Sequence, residues 1–166
     1  TGNGGTIIFD GGGTSNIAAG ASAFSNVVIN GAGTFTITEP ATTTGAFTLT
    51  SAGGFTLNSG QTLAVGGIFS NNISGGLTTW TRAILSLYSG TNYSIDASTT
   101  SDVYEVLDVR SGTHIRMWNS SASTYAIHTT GSLYSQDHAS VNGALYIYGN
   151  FVIGTTTEYW SYATDF

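Results

Sequence analysis

Nine carboxylates, three histidines and three arginines carry the ionic chemistry of this 166-residue chain, which has no lysine and no cysteine. Asp96, Asp102, Glu105, Asp108 and Asp137 are the candidates for a paired-carboxylate site. Glycoside hydrolysis needs such a pair about 5–9.5 Å apart, a separation that spacing along the chain does not set. Asp102, Glu105 and Asp108 read equally as solvated residues in a long connection before Val109. His114, His128 and His138 never take the H-x-x-x-H spacing of a metal site, and without cysteine no zinc is expected. The acidic stretch from Asp96 to Asp108 offers oxygen ligands for a structural Ca²⁺, but it lacks the Asp-rich nonapeptide of calcium-binding solenoids. Serine, histidine and aspartate occur without a Gly-x-Ser-x-Gly elbow. Gly11-Gly12-Gly13-Thr14 has no lysine after it, so it reads as a turn and not as a phosphate loop. The expectation is no enzyme and no cofactor, with a polysaccharide-active enzyme as the catalytic alternative.

The elements that must hold such residues are legible in a repeat. Blocks of twenty residues begin at Thr1, Ala21, Ala41 and Gln61. Their ninth positions are Phe9, Ile29, Leu49 and Phe69, and their seventeenth are Ile17, Ile37, Leu57 and Leu77. Ile7, Val27 and Phe47 strengthen the first column; Phe35 and Phe55 strengthen the second. Around both columns apolar and polar residues alternate, as in Phe35-Thr36-Ile37-Thr38 and Phe47-Thr48-Leu49-Thr50, which is the period of a strand with one buried face. Clusters such as Gly31-Ala32-Gly33 and Asn58-Ser59-Gly60 supply tight corners between strands. Leu87 with Ile95, and Val109 with Met117, keep the eight-residue offset, and Ile127 and Ile147 extend the first column.

Short strands at this spacing also suit an antiparallel sandwich, but the twenty-residue identity between blocks favours equivalent residues stacked in successive coils. The pattern predicts an all-β fold, a single-stranded parallel β-solenoid of about eight coils of about twenty residues. The rule for parallel crossovers makes it right-handed. One domain is expected over 1–166, with regular coils over 1–80, less regular coils over 81–154 and an extension over 155–166.

Outward positions beside the columns change along the chain. The first half shows small polar residues, among them Asp10, Asn30, Thr50 and Ser70. The second half offers Tyr88, Arg110, Trp118, His128, Gln136 and Tyr148. Aromatic faces pack on sugar CH surfaces while amides and guanidinium groups take hydroxyls, so this set is the candidate glycan-binding patch. The same residues equally fit packing against a neighbour. Thr36-Ile37-Thr38 and Thr48-Leu49-Thr50 have the form that orders water, but their threonine columns fail in later twenty-residue blocks.

Composition narrows the partners. Only 7% of residues are charged and the net charge is −6, so the clustered cations that neutralise phosphates are missing and no nucleic acid is expected. Twenty aromatic residues argue against disorder, and no apolar run reaches the ~18–20 residues of a membrane helix, so no membrane insertion is expected. The chain begins at Thr1 without a basic-then-apolar leader, which suggests either a removed leader or a piece of a longer protein.

The phrase Phe24-Ser25-Asn26-Val27-Val28-Ile29-Asn30-Gly31-Ala32-Gly33-Thr34-Phe35-Thr36-Ile37 resembles the β-solenoid repeats of very large bacterial cell-surface proteins from uncultivated lineages. Gly67-Ile68-Phe69-Ser70-Asn71-Asn72 is similar to the GGNFTNN phrase of such arrays. The resemblance covers about residues 6–80, while the tail from Arg110 to Phe166 matches only in style. It implies an extracellular, adhesin-like stalk or fibre role at the cell surface. Neither terminus reads as an amphipathic capping helix, so each end is expected to meet more protein: a second copy stacked end to end, or further domains of a longer chain. Glycans are the partners under the alternative reading.

Overall fold

The computed structural model describes residues 4–73, 77–88, 93–95, 102–109, 114–117, 126–129, 133–135, 138–141, 144–147 and 151–153, with side-chain packing over 4–73, 77–88 and 104–108. Its elements are all strands: β1 (Thr6–Phe9), β2 (Thr14–Ile17), β3 (Asn26–Asn30), β4 (Thr34–Ile37), β5 (Ala41–Thr43), β6 (Phe47–Ser51), β7 (Gly54–Leu57), β8 (Thr62–Val65), β9 (Phe69–Asn71), β10 (Thr78–Thr79), β11 (Ile84–Leu87), β12 (Tyr93–Ile95), β13 (Asp102–Tyr104) and β14 (Val106–Val109). Beyond these follow β15 (His114–Met117), β16 (Ala126–Thr129), β17 (Leu133–Ser135), β18 (His138–Val141), β19 (Ala144–Ile147) and β20 (Phe151–Ile153).

Strands pair with strands one turn away, and the ladders run β1-β3-β6-β9-β12, β2-β4-β7-β10 and β5-β8-β11-β14-β17-β20. The pairings within them are parallel, for example β1 with β3, β4 with β7 and β11 with β14. Two shorter parallel ladders, β13-β16-β19 and β15-β18, take the later turns. The chain is therefore a parallel β-solenoid with three sheets, and its described strands group into seven turns. The first turn reaches the third sheet only through Phe24, which makes an isolated parallel bridge to Thr43.

The alternation read from sequence is what fills the interior. Ile7, Val27 and Phe47 align, as do Phe9, Ile29 and Leu49. In the second sheet Ile17, Ile37 and Leu57 align, beside Phe35 and Phe55. Val27, Ile29, Phe35, Leu49, Phe55 and Leu57 are all buried, and burying each such side chain contributes about 1.5–3 kcal/mol.

Three details of the expected register are corrected. Phe69 does not stack on Leu49: it pairs with Phe47, and the buried Asn71 takes the place beside Leu49. The cause is local. Ile37 and Leu57 are partners twenty residues apart, whereas Ala41 and Leu63 are partners twenty-two apart, so two extra residues enter at the corner Asn58-Ser59-Gly60-Gln61. Later turns vary in length again, with twenty-two residues from Leu63 to Leu85 and twenty-four from Phe69 to Tyr93. Leu77 is likewise outside the second column, 42% exposed, while the following Trp80 is buried. Finally, Leu87 and Val109 belong to the third sheet, where Val65, Leu87 and Val109 align, and Ile127 lies in β16 beside Leu145 of β19. The two-column reading folded the third sheet into the first.

Candidate functional site

Local sequence at the corner between the second and third sheets explains the most polar part of the molecule. The longer corners turn through a residue of positive φ: Gly60 at 78° and Arg82 at 54°. The two corners share one hydrogen-bond pattern, with Gln61 N–H donating to Asn58 O at 3.0 Å and Ala83 N–H to Trp80 O at 3.1 Å. Gly60 N–H also donates to Arg82 O at 2.7 Å, tying one corner to the next. The shorter corners carry a carboxylate instead. Glu39 accepts the N–H of Gly20, itself at φ 58°, at 3.3 Å, and Glu105 accepts the N–H of Arg82. The N–H of each of these left-handed residues is thus taken up by the following turn, by a carboxylate at Gly20 and Arg82 and by a carbonyl at Gly60. Glu105 thus has a structural partner and does not belong to a free acid pair.

The other candidate acids separate in the same way. Asp108 lies on β14 and accepts the Ser86 hydroxyl at 2.9 Å across to β11. Asp102 starts β13, level with Ile127. Asp102 and Asp108 stand on strands, in place of the solvated connection expected for them. Asp96 and Asp137 lie outside the described residues. Among the described residues no three of histidine, cysteine, aspartate and glutamate gather as a metal site.

Of the glycan-binding candidates, Tyr88 is the one whose side chain is described. It follows β11 in the third sheet and donates its hydroxyl to Thr43 O at 2.9 Å. Its ring lies over Gly66, where a Cβ would come within 2.8 Å of Tyr88 Cζ. Tyr88 therefore spans two turns as a clasp. His128 stands on β16, between Val103 of β13 and Tyr146 of β19. The backbone thus puts Tyr88 and His128 in different sheets and not in one outward row. Arg110, Trp118, Gln136 and Tyr148 lie outside the described residues.

Inside the solenoid, sequence reading missed an aromatic cluster. Phe47 and Phe69 stack at 6.2 Å between centroids, Phe55 meets Trp80 at 5.4 Å, and Tyr104 meets Trp80 edge-on at 4.9 Å. Such contacts add about 0.5–1.5 kcal/mol each beyond burial. Tyr104 and Asn71 are both fully buried, and Asn71 Nδ2 donates to the Tyr104 hydroxyl at 3.4 Å. Asn71 Oδ1 accepts the Ile73 N–H at 3.3 Å. The signal available in sequence was the large aromatic residues Trp80 and Tyr104, but pairing them needed the slipped register.

These features define the class of protein, a three-sheeted parallel β-solenoid in which Glu39, Tyr88, Glu105 and Asp108 tie neighbouring turns together. Comparison with protein-family models, curated proteins and solved structures finds no match for this chain.

Proposed function

We propose that the chain is a structural module of an extracellular stalk or fibre, adhesin-like in setting, whose solenoid is continued end to end by another copy or by further coils of a longer protein. The observation that carries this reading is the first turn. Among the described residues β1 pairs on one side only, with β3. Ile7 and Ile8 are 42% and 58% exposed there, whereas Val27, stacked on Ile7 one turn further in, is buried. A parallel edge with open hydrogen-bonding groups and apolar side chains is a template for another strand in the same register. Contacts of that head-to-tail kind do not close, and so they extend. The polar groups support the same reading, since Glu105, Asp108 and Tyr88 make contacts between turns.

Electron microscopy and sedimentation of the purified chain test the proposal. Linear oligomers or fibres are expected, and Ile7→Lys, which places a charge on the open end, should reduce assembly at least tenfold while leaving the circular dichroism spectrum β-rich. A monodisperse monomer in which the β1 amides are protected from hydrogen exchange would overturn the reading.

A further inference from the structure

The second sheet carries a row of polar residues on its outer face, with a shorter flanking row that ends at Gly54. Asn16, Thr36, Thr56 and Thr79 align across β2, β4, β7 and β10. Thr14 and Thr34 align beside them on one flank, and Thr38 extends β4 on the other, bonded to the turn before through its own N–H. Thr36-Ile37-Thr38 and Thr48-Leu49-Thr50 belong to different sheets, β4 and β6, which is why no single threonine column joined them by counting twenties. The row that does continue survives because β10 slips by three residues and brings Thr79, not Gly76, level with Thr56.

The hydroxyls of these rows are available. Among the described residues no protein group hydrogen-bonds those of Thr14, Thr34, Thr36, Thr56 or Thr79. Threonines at corners behave differently: Thr38, Thr43 and Thr44 give their hydroxyls to carbonyls of Ile17, Gly45 and Phe24. The aligned outward residues contain no charge and no aromatic ring. Rows along a strand repeat every two residues, about 6.6–6.8 Å, and neighbouring turns stand about 4.8 Å apart. Branching at Cβ restricts χ1 and so limits the orientations of each threonine hydroxyl and methyl on such a face. Hydroxyls set among methyls offer water repeated hydrogen-bonding points on an otherwise apolar surface. A sugar surface would call for aromatic platforms, and an ionic mineral for charge; this face has neither.

We propose that the outer face of the second sheet binds ice, with Thr34, Thr36, Thr56 and Thr79 holding an ordered layer of water that merges with the crystal surface. Ice recrystallisation inhibition and ice-affinity partitioning of the full chain test it. The wild-type chain should inhibit recrystallisation and concentrate in the ice fraction. Thr36→Lys and Thr56→Lys should each weaken inhibition at least tenfold with the circular dichroism spectrum unchanged. Thr48→Lys, on the first sheet, should leave it intact. A wild-type chain excluded from ice, threonine variants as active as wild type, or an equal loss in Thr48→Lys would each overturn the proposal. So would sedimentation showing that Thr36→Lys and Thr56→Lys dissolve a side-by-side dimer, since a second copy would then be the occupant.

Discussion

At the residue scale, the fold rests on which side of a strand each side chain leaves. Leu49 is fully buried between Ile29 and the aromatic cluster, while its neighbour Thr48 points outward. Leu49→Asp buries a charge and removes apolar volume, so it should cost more than about 3 kcal/mol and abolish cooperative unfolding in urea. Thr48→Asp should cost about 1 kcal/mol or less. Equal effects would remove the assignment of faces. Arg82 holds a left-handed backbone at φ 54°, which costs a residue with a Cβ about 1–2 kcal/mol. Glycine relieves that strain but loses about 0.5–1 kcal/mol in entropy. Arg82→Gly is therefore expected to raise the urea midpoint slightly, by up to about 1 kcal/mol in stability. Glu105→Ala should lower stability by about 1 kcal/mol through loss of the acceptor for Arg82 N–H, and Glu105→Gln should recover much of it.

Elements here are too short to stand alone, three to five residues in most cases, and depend on the corners that align them. Where two corners stack, the backbones approach closely. A Cβ on Gly67 would meet Gly45 C at 2.5 Å and its carbonyl oxygen at 2.8 Å. Both are backbone atoms and cannot swing aside. Gly67→Ala is expected to cost about 1–3 kcal/mol as overpacking, measured by thermal unfolding. The period-two alternation made β3, β4, β6 and β7 legible before any coordinates, because each carries apolar residues on one face only. The third sheet was harder. Ala41-Thr42-Thr43 has little apolar character, and the sheet shows its pattern only once Leu63, Leu85 and Leu107 are known to align.

At the scale of the whole molecule, parallel stacking makes one turn the template of the next. That is why two residues inserted after Leu57 move the partners of β5, β6 and β7 together and do not disturb one strand alone. Among the described residues the first-sheet column is buried at Val27, Ile29, Phe47 and Leu49 and exposed at Ile7. The same stacking decides which threonines share a face, and so separates the second-sheet rows from Thr48 and Thr50.

Composition and alternation alone determined that this chain is β-structured, that its strands repeat, and which residues of the first two sheets face inward through the first three turns, because burial on a strand follows from a local period. Tertiary structure alone decided that there are three sheets, that Asn71 and not Phe69 stands beside Leu49, and that Glu39 and Glu105 serve backbone groups one turn away. Each of those facts depends on register between turns about twenty residues apart. The lengths of corners set that register, and corner length leaves no periodic trace in the chain.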